Sequence, residues 1–211
     1  MDFLYGERET SYLAARDSRL GRAIERIGPI CREVDADLFS AVVHHILGQQ
    51  ISTAAQATVW ARLVVAVGAV SADSLTALGR ERLQQIGTTY KKADYILDFA
   101  EKVQRGEFDT SRLWTLSDAE VIRELTGLRG VGVWTAEMIL TFCMQRPDVV
   151  SFGDLAIVRG MRMLYRHRRI DREKFDRYRK RYSPYGTVAS LYLWAVAGGA
   201  LPELTDPAAR K

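Results

Sequence analysis

Cysteine is almost missing from this 211-residue chain, in which Cys31 and Cys143 stand alone and far apart. That excludes a disulfide framework, a zinc cluster and a four-cysteine iron–sulfur site. No apolar run approaches the ~18 residues of a membrane span. The opening segment MDFLYGERETSYLAARDSRL is charged throughout, unlike a secretory signal. Internal repeats, low-complexity tracts and strand-like alternation are scarce as well. What is present is an ordinary globular composition, 47% hydrophobic and 27% charged, which excludes global disorder. The length suits one domain or two small lobes with a sizeable core, and the expectation is an intracellular, soluble protein with no membrane partner.

The net charge of +4 is unevenly spread: Arg159 to Arg181 carries eleven basic residues against three acidic ones, so the rest of the chain is net acidic. Such a segment is either a face that meets phosphate or a solvated helix with scattered ion pairs. Apolar residues recur at helical spacing nearly everywhere. Leu38, Phe39, Val42, Val43, Ile46 and Leu47 form one stripe, entered through Asp35 or Asp37 as N-cap. Ala54–Val67 follows, closed by Gly68, and then two short helices, one ending at Gly79 and one before Gly87. Lys91–Gln104 is amphipathic, and Ser117 with Glu120 is a capping box for a helix that Gly127 ends. Further helices are expected over Val133–Gln145, Leu155–Tyr165 and Asp171–Tyr182. The last is entered through Ser183-Pro184, with proline in its first turn, and stopped by Gly198-Gly199. About ten helices give an all-α fold, and the tail from Leu201 is expected to lie loosely on the surface.

The most informative stretch joins the helix ending at Gly127 to the one starting at Val133 through Leu128-Arg129-Gly130-Val131-Gly132. Two glycines in five residues let the backbone take positive φ and approach a ligand closely. The amides opening the second helix then offer a site for one phosphate, a contact that positions a protein on nucleic acid without reading sequence. Downstream, Asp154 opens the helix from Leu155. It is a plain N-cap, a catalytic carboxylate or both at once, and Asp148 is the nearest rival for the catalytic role.

These segments resemble a known family. LRGVGVWTA is similar to the helix-hairpin-helix of the base-excision DNA glycosylase superfamily, and Asp154 in VVSFGDLAIVRG stands where that family keeps its aspartate. LFSAVVHHILGQQISTAAQATVWARL and GTTYKKADYILDFA match the 3-methyladenine DNA glycosylase II branch, in the compact form without an N-terminal β domain. The resemblance implies two helical lobes with an interlobe cleft: a helical barrel over 36–146 that includes the hairpin at 125–140, and a second lobe from 1–35 with 147–211. It implies a monofunctional enzyme that flips alkylated bases out of double-stranded DNA and hydrolyses the N-glycosidic bond, leaving an abasic site for base excision repair. Bifunctional relatives carry a lysine two positions after the second hairpin glycine. Here that position is Trp134, whose indole cannot form a Schiff base, so no β-lyase activity is expected.

Asp154 would stabilise positive charge developing on the deoxyribose and orient or deprotonate the attacking water. Trp134 and Trp194 are candidate walls of a base pocket, with Met138 and Tyr185 beside them; core packing is the alternative for both tryptophans. An N-alkylated purine is cationic, so an indole face adds ~0.5–2 kcal/mol of attraction. Gln49 and Gln50, followed by Ser52, match the family segment that fills the gap left by the flipped nucleotide, Gln50 as the plug and Gln49 structural or pocket-facing. Gly130, Gly132, Val133, Thr135 and Arg159 complete the expected DNA contacts. One of His44 and His45 is expected to face the core and the other solvent, while Lys91 and Lys92 resemble a family Lys-Ala pair or are simply solvated. No cofactor is required. A sodium or potassium ion on the backbone carbonyls of Thr126, Leu128 and Val131 is implied by the resemblance. The chain is expected to act as a monomer, in the cytoplasm at the nucleoid if prokaryotic and in the nucleus if eukaryotic. Two other functions fit the same residues: a glycosylase for deaminated or oxidised bases, and a non-catalytic DNA-binding module.

Overall fold

The structure, a computed structural model, describes residues 2–209. Among these there are eleven α-helices and no strand beyond a single bridge between Asp2 and Glu33. In chain order they are α1 Glu7–Arg16, α2 Ser18–Ile27, α3 Leu38–Gly48, α4 Thr53–Val67, α5 Ala72–Gln85, α6 Tyr90–Gln104, α7 Asp118–Thr126, α8 Val133–Phe142, α9 Leu155–Tyr165, α10 Arg172–Tyr182 and α11 Gly186–Ala197. No single helix among the described residues is long and apolar enough to cross a membrane.

Helix starts follow the polar residues the sequence offers. Asp37 caps α3, Ser52 caps α4, Ser71 and Ser74 cap α5 reciprocally, and Ser117 with Glu120 opens α7. The two short helices expected on either side of Gly79 are both present within α5, parted where Gly79 (φ 77°, ψ 168°) leaves helical geometry. Other boundaries differ from the sequence reading. Helix α8 stops at Phe142 rather than Gln145: Met144 N–H bonds back to the Ile139 carbonyl (3.0 Å) and Gln145 turns left-handed ahead of Pro147. Pro184 is not in the first turn of α11; its bond to Ser183 is cis, and the helix begins at Gly186. The tail is pinned rather than loose, with Leu201 buried and Asp206 forked onto Arg162 (2.9 and 2.5 Å). Arg210 and Lys211 lie outside the described residues.

The chain divides into two compact units, Asp35–Met144 and the flanking segments, up to Val34 and from Gln145 on. In the Asp35–Met144 unit, α3, α6 and α8 share a core in which Phe39 stacks on Phe99 (4.9 Å), beside buried Ile46, Leu47, Ile96 and Ile139. The other unit is organised by α9 against α11 and α1 against α2. Its interior holds a polar network as well as apolar chains. Asp17 caps α2 through the Arg19 and Leu20 amides and takes hydrogen bonds from the Tyr165 hydroxyl and Arg181 (both 3.0 Å). Burial raises the ionisation of Tyr165 and Tyr182 well above the usual tyrosine range, so both stay neutral donors.

Candidate functional site

Helix α9 begins where Asp154 turns its side chain back onto its own first turn. Oδ1 accepts the Ala156 and Ile157 amides (2.9 and 2.8 Å). The same oxygen accepts the indole N–H of Trp194, from α11, at 3.1 Å. Three donors on one oxygen hold the carboxylate in a single orientation, and it is only 7% exposed. Its neighbours are open: Phe152 in the preceding loop is 36% and Leu155, the first residue of α9, 86% exposed. The aspartate is thus turned inward although apolar residues beside it are exposed.

The approach of α11 to α9 makes this contact possible. A Cβ on Gly160 would lie 2.2 Å from the Leu193 carbonyl, so only glycine lets the residue before Trp194 come so near. Asp148, the rival carboxylate, is committed elsewhere. Its Oδ1 accepts the Gly186 amide that opens α11 (3.1 Å), and its Oδ2 accepts the Ser183 hydroxyl (2.7 Å). Tyr185 packs edge-on against Tyr12 (5.2 Å) in the same unit. Arg159 is exposed on α9, 3.9 Å from Asp206. Much of the basic segment is answered locally, by Arg162–Asp206, Arg172–Asp176, Lys174–Asp171 and Arg181–Asp17. It is therefore not one uninterrupted phosphate-binding face.

In the Asp35–Met144 unit the hairpin turn is built on Tyr95. Gly130 (φ 81°) lies so close above the ring that a Cβ would fall 2.1 Å from Cδ2. The guanidinium of Arg129 (5.6 Å) and the ammonium of Lys91 (5.9 Å) lie over the same ring. Gly132, by contrast, is extended (φ −97°) and needs no special freedom; its contribution is to cap α8 without a side chain and with open space around it. The exposed amide end of α8 is followed by Val133 (55% exposed) and Trp134 (43%). Thr135 and Met138 fall on the core-facing side of α8 and are buried, which corrects the expected side-chain contact of Thr135 with DNA. A buried threonine cannot present its side chain to a DNA surface.

Gln49 is structural, its amide donating to the Gly130 carbonyl at 2.7 Å and tying the end of α3 to the hairpin. Gln50 is exposed and left-handed (φ 59°), and Ser52 caps α4. The sequence reading missed what fixes this loop. Lys92 donates to the Leu47 and Gln49 carbonyls (2.7 and 2.6 Å), satisfying the open end of α3 from α6. Desolvation lowers its pKa. The Lys-Ala pair drew notice in the sequence, but nothing local shows that Lys92 reaches a helix end 45 residues away. Behind the loop His44 bonds Asp35 (3.1 Å) and leans on Trp60, while burial and then the charge of His44 push His45 down to about 4. His45 is the more enclosed of the two, and the His44 side chain keeps 29% exposure. Thr126 closes α7, and the Leu128 carbonyl accepts the Val131 amide at 3.2 Å. Among the described residues no cluster of three His, Cys, Asp or Glu side chains could hold a metal ion.

A family model described as HhH-GPD superfamily base excision DNA repair protein matches residues 43–184. Among solved structures, the DNA-3-methyladenine glycosidase of Bacillus halodurans is 33% identical, with a TM-score of 0.84 over 96% of this chain and 95% of that one. The 3-methyladenine DNA glycosylase of Schizosaccharomyces pombe, solved with abasic DNA, is 24% identical (TM-score 0.80, covering 94% and 99%) and shares the fold. DNA-3-methyladenine glycosylase 1 of Schizosaccharomyces pombe is 33% identical over 129 residues, 60% of this chain and 56% of that protein. The chain spans less than three fifths of the length of three curated relatives it matches, this one included.

Proposed function

The chain belongs to the HhH-GPD superfamily of base excision DNA repair proteins, and from that premise we propose that it is a monofunctional DNA glycosylase. It everts alkylated bases of the 3-methyladenine and 7-methylguanine type from duplex DNA, hydrolyses the N-glycosidic bond and leaves an abasic site. The observation that carries this reading is the Asp154 carboxylate, shielded from water and oriented by two α9 amides and the Trp194 indole.

Cleavage leaves positive charge on the sugar, and a preset anion beside C1′ stabilises that charge more in the transition state than in the ground state. Because the aspartate is already oriented, no reorganisation is needed as the bond breaks. The same carboxylate directs the water that adds to C1′. An N-alkylated purine leaves as a neutral base without being protonated, so the site needs no separate general acid. The exposed indole of Trp134 offers the cationic base a π-face. Since it carries no amine, the reaction stops at hydrolysis.

The hairpin amides and the glycine cap of α8 bind a backbone phosphate, and Gln50, held out by the Lys92-braced loop, fills the space of the everted nucleotide. A sodium or potassium ion on the carbonyls of Thr126, Leu128 and Val131 belongs to the same proposal. What supports it is that α7 ends at Thr126, where carbonyls lack intrahelical donors, and that the Leu128 oxygen gives the Val131 amide only one of its two lone pairs. The protein acts as a monomer.

Incubation with duplexes holding 7-methylguanine or hypoxanthine, with chromatography of the released base, tests the reading. Release of 7-methylguanine well ahead of hypoxanthine, without strand scission in the absence of alkali or heat, is expected. Preferential hypoxanthine release would move the substrate class to deaminated bases, and spontaneous scission would contradict hydrolysis alone.

A further inference from the structure

Away from Asp154 the same helix ends in a different chemistry. Helix α9 is eleven residues long, so its two caps, Asp154 and Arg166, are separated by roughly 18 Å along the helix. Arg166 caps the far end in a left-handed conformation (φ 58°, ψ 44°) that a residue with a Cβ seldom adopts. There it borders a cavity of about 340 Å³ shared with α2. Arg19, Arg22 and Arg26 line that cavity from positions i, i+3 and i+7, one face of α2. Its floor is aliphatic, with Ala23, Leu164 and Leu201.

Part of this face is already occupied, and the occupant shows what it accepts. The chain's own segment 201–206 buries Leu201, pairs Glu203 with Arg26, and sets Asp206 on Arg162. Arg19, Arg22 and Arg166 continue the same surface, are exposed, and have no carboxylate partner among the described residues. We propose that the α2–α9 face is a docking surface for an acidic segment of a partner protein, one that carries aliphatic residues between its carboxylates. Its carboxylates pair with Arg19, Arg22 and Arg166 as Glu203 does with Arg26 and Asp206 with Arg162, and its aliphatic side chains settle on the floor. A nucleic-acid strand suits the face less well: sites for single strands present aromatic platforms to the bases, and this floor has none. Lying at the opposite end of α9 from Asp154, the surface can be engaged by a partner without covering the carboxylate.

The test uses the full chain and a fluorescein-labelled peptide holding two copies of the Leu201–Asp206 sequence, followed by anisotropy at low salt. The controls are the same peptide with its acids changed to amides, and a twelve-nucleotide oligothymidylate. Saturable binding of the acidic peptide is expected, lost with the amide peptide, and weakened about tenfold or more by the double variant Arg19→Glu, Arg22→Glu. The milder Arg22→Ser and the strain-free Arg166→Gly should each weaken it in part, with circular dichroism and melting showing all variants folded. Base release by these variants should equal that of the parent. Absence of peptide binding, or equal binding by the charge-reversed variant, overturns the proposal. So does a result in which only oligothymidylate binding depends on these arginines, which would assign the face to nucleic acid.

Discussion

A single oxygen of Asp154 takes three hydrogen bonds, two from its own helix and one from Trp194. The cap and the candidate catalytic group are thus one residue, and the two alternatives open in the sequence do not compete. The Trp194 N–H aims the carboxylate. Trp194→Phe keeps most of the ring volume and removes the donor. It should slow single-turnover base release by about tenfold with little change in substrate affinity, the pattern of an interaction that matters mainly in the transition state. Unchanged rate with weakened binding would make Trp194 a wall only. The position of Asp154 was legible because a short loop and a helix start surround it. The Trp194 bond was not, because it joins residues 40 apart in the chain. Asp148 and Asp154 look alike in sequence; the structure separates them by giving Asp148 the Gly186 amide and Ser183 hydroxyl to hold.

Among elements, the close pairing of α9 with α11 carries the candidate carboxylate, and in the other unit the end of α3 is braced by Lys92. Gly160→Ala would drive a methyl into the Leu193 backbone. The expected cost is about 1–3 kcal/mol in denaturant unfolding, together with slower base release as Trp194 moves off Asp154. Lys92→Met removes both bonds to the end of α3 and should cost about 1–2 kcal/mol. It should also slow release from a fully paired lesion more than from one in a bulge, where the base is already unstacked and the plug matters less. Equal slowing on both substrates would leave Lys92 with stability alone. Helix starts were readable at Asp37, Ser117 and Asp154, since a cap is a local signal, whereas Ser52, read only as part of a DNA-facing segment, proves to cap α4. Ends were harder. The stop of α8 at Phe142 depends on a backbone bond from Met144 to Ile139, and the start of α11 depends on a carboxylate 38 residues upstream.

At the scale of the molecule, the response to pH follows from His45, largely removed from water behind the loop that follows α3. His45 titrates at about 4 when folded, against 6.5 for an ordinary histidine. Between those values the unfolded chain takes up a proton that the folded one refuses, so stability present above pH 6.5 is lost as the pH falls toward 4, by up to about 3 kcal/mol. Asp35 is affected in the opposite sense to its burial. Desolvation pushes its carboxyl up, but the hydrogen bond and charge of His44 bring it net below the usual value. Its contribution therefore persists through that window and is lost only at still lower pH. Urea unfolding from pH 7 to 4.5 should show this slope in the parent protein and a flatter one in His45→Gln. The same slope in both would locate the acid sensitivity elsewhere.

The central claim is that the Asp154 carboxylate makes the glycosidic bond break. Asparagine caps a helix as well as aspartate does, so Asp154→Asn removes the charge while leaving α9 supported. Single-turnover release of 7-methylguanine should fall by about 100-fold or more, with affinity for an abasic duplex and the melting temperature nearly unchanged. Release by Asp154→Asn at the parent rate would contradict the account.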